Sequence, residues 1–251
     1  MPTTTSSGYV AVKDAKIYYA TYGKGTPVIL LHGGLGNSDH WAFQVLELAT
    51  KYRVIVIDSR NQGRSTFART KITYATMAAD VLAVMDQLGV AAAAFVGWSD
   101  GGEIALDLAI RNPDRVSKLF VFGANYDANG SKPRRVGASA TFNQYAAKCR
   151  HDFARISNNP KSYDDVVASL TSVWHNPASF TKAQLRSIKA PAVVSDGDHD
   201  EVIVLDQVKE MARLIPNARL EVFEATSHFA LWQDPESFNN ALLRFLAEPT
   251  R

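Results

Sequence analysis

Several residue types and patterns are scarce or missing in this chain, and each absence narrows what it does. One cysteine, Cys149, stands among 251 residues, so no disulfide forms within the chain, which fits a reducing compartment. Neither sign of charge dominates, since 27 Lys and Arg against 25 Asp and Glu leave a formal charge of +2. There is no dense basic stripe, and the short Lys132-Pro133-Arg134-Arg135 cluster reads as a solvated loop, so nucleic-acid binding has little support. No apolar run approaches the ~20 residues of a membrane-crossing helix. Met1 to Gly8 is polar and Thr/Ser-rich rather than a charged-then-apolar leader. The expectation is a soluble, cytoplasmic protein with no membrane or nucleic-acid partner. Metal-ligand spacing is missing too: His40, His151 and His175 are scattered. Asp196 to Asp200 has the look of a calcium loop, but its sixth position is Glu201 rather than glycine and its twelfth Gln207 rather than glutamate. Gly33, Gly34 and Gly36 lack the G-x-G-x-x-G spacing of a dinucleotide site. Neither metal nor cofactor is expected.

What is present is an ordinary globular composition, 46% apolar and 21% charged, at a length that suits one large α/β domain. Tyr9–Val12 and Lys16–Tyr22 read as an edge hairpin, short and rich in β-branched and aromatic residues. Pro27–Leu31, Arg53–Asp58, Ala91–Val96, Val116–Phe122 and Ala192–Ser195 are apolar without alternation, the mark of strands covered on both faces. Arg219–Phe223 reads as a last strand. Between them lie helical stretches: 38–49 with Asn37 or Ser38 as N-cap, 73–88 closed by Gly89, 103–110, 205–214 and 235–246. Such regular alternation predicts a doubly covered, mostly parallel sheet. It breaks between residues 125 and 188, where only helices are found, at about 138–156, 163–174 and 181–187. This segment is too long for a loop and carries apolar faces of its own, so it predicts a helical insertion. Leaving from a strand's carboxyl end, it would roof the crevice where open α/β sheets bind ligands.

The stretch around which the rest is arranged is Gly97-Trp98-Ser99-Asp100-Gly101-Gly102, a G-x-S-x-G pattern between a buried strand and a helix. In that context Ser99 sits on a turn so sharp that a Cβ two residues before or after it would collide, which glycine avoids. Its hydroxyl would then stand above the sheet at a helix N-terminus, where negative charge is favoured. A serine hydroxyl needs a base in reach and an acid to orient that base. His228, just after the last strand, and Asp200, just after the strand before it, are candidates for those places. Ser, Asp, His is one of the known chain orders for such a triad.

At these residues the chain resembles the α/β-hydrolase superfamily over nearly its whole length. The matching stretches are His32-Gly33-Gly34, Asp58-Ser59-Arg60 through Gly63 and Ser65, Gly97 to Gly102, Gly197 to Asp200, and Ser227-His228. The resemblance implies an α/β-hydrolase fold: a mostly parallel eight-stranded sheet with helices on both faces, residues 1–124 and 189–251 forming the core. Residues 125–188 would be a helical cap after the sixth strand. It implies Ser99 as nucleophile, His228 as general base and then acid, and Asp200 as its partner, the family's spacing from Gly197 selecting it over Asp196 and Asp198. It also implies an oxyanion hole from the backbone N–H groups of Gly34 and Asp100. The chain departs from the family's pattern at Asn61 and Gln62, where glycine and histidine are usual, and at Gln233, where glutamate is frequent.

The Trp98 to Gly102 variant is similar to that of amino-acid-ester hydrolases of the valacyclovir hydrolase kind. Asp100 would there favour a substrate ammonium group; alternatively it pairs with a neighbouring basic residue or points into water. Trp98, Trp41, Trp174, Phe229 and Trp232 are candidates to line an acyl or alcohol pocket, or core aromatics. His32 is expected to stabilise its turn, and His199 to be a solvated loop residue. The function expected is a cofactor-independent serine hydrolase, a carboxylic ester hydrolase or lactonase acting on a small acyl compound, as monomer or homodimer. C–C bond hydrolysis or perhydrolysis by the same triad is the alternative chemistry. A hormone-receptor-like protein with slow or single turnover is the alternative class.

Overall fold

The computed structural model describes residues 2–68, 70–132, 139–175 and 180–249. Eight strands form one sheet: β1 (Ser6–Ala11), β2 (Lys16–Tyr22), β3 (Pro27–Leu31), β4 (Arg53–Ile57), β5 (Ala93–Trp98), β6 (Val116–Phe122), β7 (Ala192–Gly197) and β8 (Ala218–Phe223). Their order is β1-β2-β4-β3-β5-β6-β7-β8, antiparallel at β1–β2 and β2–β4 and parallel at every other pairing. The central strands carry side chains buried on both faces, Val28 to Leu31 and Val54 to Ile57 being almost wholly enclosed.

Helices α1 (Ala42–Leu48), α2 (Tyr74–Gln87) and α3 (Asp100–Arg111) join the earlier strands. Helices α7 (Leu205–Leu214), α8 (Ala230–Gln233) and α9 (Pro235–Ala247) join or follow the later ones. α3 packs on β5, β6 and α2, while α1 packs on α9. Among the described residues, the elements between β6 and β7 are helical: α4 (Ala140–Ile156), α5 (Tyr163–His175) and the short α6 (Lys182–Arg186), with two brief 3₁₀ turns. The Ala138 start expected for the first of these, and most of the 132–135 basic cluster, lie outside the described residues.

The helix expected over 38–49 is two pieces. Asn37 accepts from the Asp39 N–H, and the His40 N–H returns to the Asn37 carbonyl at 3.1 Å, tightening Ser38–Trp41 into a 3₁₀ turn before α1 begins. Register decides what matters for function. Leu31 lies beside both Ile57 and Gly97, Gly97 beside Val121, Phe122 beside Ser195, and Gly197 beside Phe223. The strands therefore end level, and the segments starting at His32, Asp58, Ser99, Gly123, Asp198 and Glu224 all emerge from one rim.

Candidate active site

The turn from β5 into α3 holds Ser99 at φ 55°, ψ −123°, a conformation few non-glycine residues adopt. The Ser99 N–H donates to the Phe122 carbonyl at 2.9 Å, and its own carbonyl accepts from the Gly102 and Glu103 N–H groups, starting the helix. A Cβ on Gly97 would lie 2.2 Å from the Gly101 carbonyl oxygen, and one on Gly101 would lie 2.0 Å from that of Leu31. Close backbone approach thus requires both glycines.

Asp200 and His228 meet across the β7 and β8 loops. Asp200 Oδ1 accepts from the Val202 and Ile203 N–H groups at 2.5 and 2.8 Å, leaving Oδ2 to accept from His228 Nδ1 at 2.6 Å. Burial works to raise the Asp200 carboxyl, but the imidazole's charge and these hydrogen bonds prevail and hold it at about 2. An ionised Asp200 accepts the Nδ1–H hydrogen bond, which leaves Nε2 as the ring nitrogen able to take a proton. The ring is framed from several sides. Trp98 Nε1 donates to the His228 carbonyl at 2.9 Å, Glu201 accepts from its N–H, and Gln233 accepts from the Ser227 N–H at 2.7 Å. Gly123, at φ 59°, leaves room for it, since a Cβ there would stand 3.0 Å from the ring. Asp198 instead binds exposed His199, and the carboxyl of wholly buried Asp196 is pushed well above its ordinary range by burial and by the Asp200 charge.

The loop after β3 lies opposite. His32 Nε2 accepts from the Ser59 N–H at 3.0 Å, so its proton is on Nδ1, which donates to the Gly33 carbonyl at 2.8 Å. This fixes the peptide whose N–H belongs to Gly34. A Cβ on Gly34 would lie 2.5 Å from Asp100 Oδ2 and 2.6 Å from the Trp174 ring. Leu35, next in line, takes φ 66°, which costs a leucine ~1–2 kcal/mol.

Ser99, His228, Gly33 and Gly34 line one cavity of about 20 Å³, room for a single water. Phe142 and Tyr145 of α4 and Trp174 of α5 close it from the insertion, with Trp98 and Val202 completing the wall. Ser99 Oγ and the His228 ring make no hydrogen bond here, a looseness that unliganded sites of this kind show. The other expected pocket residues divide. Trp41 is buried against Phe238, in the core rather than at the cavity. Phe229 and Trp232 stack on each other and line an outer groove with Tyr145, Gln144 and Lys148. The buried Asp100 carboxylate accepts from Tyr74 Oη at 3.1 Å and Trp174 Nε1 at 2.9 Å. Asn61 stands at φ 68°, a conformation asparagine tolerates in glycine's place. Tyr145, Phe142, Tyr74, Val202 and Gly123 escaped the sequence reading; only Gly123, at a strand end, carried a usable signal. Among the described residues, no three His, Cys, Asp or Glu side chains gather to hold a metal ion, and no helix is long and apolar enough to cross a membrane.

Comparison with known proteins fits this geometry. Residues 26–136 match the profile of the α/β hydrolase fold family. The solved structure of Est816, described as an N-acyl homoserine lactone degrading enzyme, is 31% identical, covers 95% of this chain and all of its own, and superposes with a TM-score of 0.75. A 2-hydroxy-6-oxononadienedioate/2-hydroxy-6-oxononatrienedioate hydrolase of Paraburkholderia phymatum is 28% identical over 97% of this chain and 96% of its own. A pimeloyl-[acyl-carrier protein] methyl ester esterase of Aliivibrio salmonicida is 26% identical over 92% and 95%. With the level strand ends, the strained serine turn and the paired Asp200 and His228 on one rim, this chain belongs to the α/β-hydrolase superfamily.

Proposed function

We propose that the protein is a serine hydrolase that cleaves a small carboxylic ester, lactone or related acyl compound through an acyl-enzyme. The observation that carries this reading is a strained Ser99 sharing one small cavity with an imidazole braced by an ionised carboxylate 2.6 Å away. Ser99 Oγ attacks the acyl carbonyl while His228 Nε2 takes its proton, and Asp200 stabilises the imidazolium that forms. The tetrahedral oxyanion is met by the N–H groups of Gly34 and Asp100. As the intermediate collapses, the C–O bond to the alcohol breaks and His228 returns the proton to the departing oxygen. A water then gives a proton to His228 and attacks the acyl-serine. The second collapse releases the acid and restores the Ser99 hydroxyl with that proton.

Ser99→Ala is expected to lower kcat on an activated ester by roughly a million-fold, and Asp200→Asn by about ten-thousand-fold, as in other triads. Near-wild-type turnover by Ser99→Ala would end the proposal. The identity of the Paraburkholderia relative over almost the whole chain favours one second reading, C–C bond hydrolysis with the same residues. Purified protein offered esters, lactones and a vinylogous 1,5-diketone decides between them by relative kcat/KM. A single equivalent of product without further turnover would point instead to a receptor.

A further inference from the structure

Tyr145 belongs to the insertion, yet its most specific contact is with the loop after β3. Its hydroxyl donates to the Gly34 carbonyl at 2.5 Å. The ring is buried, edge-on to Trp98 at 5.4 Å and tilted against Phe229 and Trp232 at 5.1 and 5.8 Å. That carbonyl belongs to the peptide joining Gly34 to Leu35, and Leu35 is the residue held at φ 66°. The preceding peptide is held separately: the Gly33 carbonyl accepts from His32 Nδ1 at 2.8 Å and from the Gly36 N–H at 3.0 Å. So two consecutive peptides are fixed by different parts of the molecule. The core holds the first, whose N–H belongs to Gly34 in the cavity lining, and α4 holds the second, in a conformation a leucine does not keep unaided.

We propose that Tyr145 is a positioning residue for the oxyanion site, clamping the strained Gly34–Leu35 peptide so that the Gly34 N–H is aimed correctly only when α4 is seated. This rests on the hydrolase reading and on Gly34 as an oxyanion donor. Its consequence is that seating the insertion completes the catalytic site as well as covering it. Substrate enters with α4 displaced and the oxyanion site incomplete; reseating α4 restores the clamp, so bond cleavage waits for closure.

Tyr145→Phe removes one oxygen and leaves the ring and its aromatic neighbours. It is expected to lower kcat for an ester by roughly ten- to a hundredfold, less than the 10²–10³ lost when an oxyanion donor is deleted outright. KM should stay within about twofold, and the pH profile should keep its wild-type midpoint, because Asp200 and His228 are untouched. Binding of a trifluoromethyl ketone, which forms the tetrahedral oxyanion, should weaken by the same factor as kcat/KM. Cys149→Ala removes the thiol beside the same hydroxyl while leaving the Gly34 hydrogen bond, and should keep wild-type kcat.

Leu35→Gly supplies the second arm. Glycine holds a positive φ without strain, so Tyr145→Phe should cost less in kcat in that background than in the wild type. If the single Tyr145→Phe variant fails to fold, the Leu35→Gly background is where the loss of the hydroxyl is measured. A Tyr145→Phe enzyme with wild-type kcat, one that loses only KM, or equal losses in the two backgrounds overturns the clamp. If Ser99→Ala remains active, the hydrolase reading fails instead, which separates the two outcomes.

Discussion

His32 is gripped between a donor and an acceptor, the Ser59 N–H at Nε2 and the Gly33 carbonyl at Nδ1, so a second proton would have to break the first of these bonds. Burial, opposed by the charge of nearby Asp58, lowers its pKa to about 4. In the unfolded chain it titrates near 6.5. As pH falls from about 6.5 to about 4, the unfolded chain therefore takes up a proton that the native ring refuses, and stability is lost across that window, by about 3 kcal/mol once complete. Asp200 loses its contribution in the same direction but only below its ordinary 3.8, so the two ranges can be told apart. Urea midpoints measured from pH 7 to 4 should fall in the wild type. His32→Asn should start lower but fall less steeply, keeping the part of the slope due to His40, whose pKa burial also lowers. A variant as steep as wild type would place the proton elsewhere. What was legible at this scale follows from position: Ser99, Asp200 and His228 each sit just past a strand end, where sequence shows the break from apolar run to loop. Tyr145 was illegible because helical phase says that a side chain faces inward, not which backbone carbonyl it will meet. The same holds for Asp100, whose partners Tyr74 and Trp174 come from distant helices.

Packing at the elbow makes a contrast that can be measured between two glycines. A Cβ on Gly101 would sit 2.0 Å from the Leu31 carbonyl oxygen, backbone of a central strand that cannot move without disturbing its neighbours. Gly89, at φ 64° past the end of α2, would meet nothing within 4 Å. Gly89→Ala should thus cost only the backbone term, ~1–2 kcal/mol, and lower Tm by several degrees. Gly101→Ala should cost at least about 3 kcal/mol or leave no folded protein. Thermal melts of both, with equal losses, would show that conformation rather than contact sets the requirement at the elbow. The elements themselves were largely readable. β3, β4 and β6 are enclosed on both faces, so their apolarity is continuous and their limits in sequence and structure nearly coincide. The four-residue α8 was not, because one turn carries too little periodicity to stand out from a loop, and its phase is set by Phe229 and Trp232 packing on Tyr145 and Trp98. The 3₁₀ turn before α1 depends on a side-chain cap that a helical pattern cannot distinguish from an ordinary helix start.

At the scale of the whole molecule, the alternation of strands and helices announced the sheet, and its failure after β6 announced the insertion, since both are patterns of period and length. How the insertion meets the core was not written in either pattern, because it depends on side chains far apart in sequence. His40 Nε2 meets Asp152 of α4 at 3.2 Å, Asn158 donates to the Arg64 carbonyl at 3.1 Å, Trp174 donates to Asp100, and Tyr145 donates to Gly34. Together they hold α4 and α5 over a cavity with room for one water, far smaller than any ester. Substrate entry must therefore displace some of these contacts or some of the side chains behind them. Trp174 is the side chain that both fills the cavity wall and ties α5 to the elbow. Replacing it with alanine opens the wall by the volume of an indole while leaving Ser99, His228 and Asp200 in place. If the wall at Trp174 limits the acyl chain, Trp174→Ala should raise kcat/KM for a p-nitrophenyl hexanoate relative to the acetate by roughly tenfold or more, tenfold being the low end of what a single methylene confers in an apolar pocket. If the insertion instead lifts as a body and its inner face never contacts the chain, the ratio across a series of ester lengths will be the same in variant and wild type, and selectivity will have to be sought in the outer groove lined by Phe229 and Trp232.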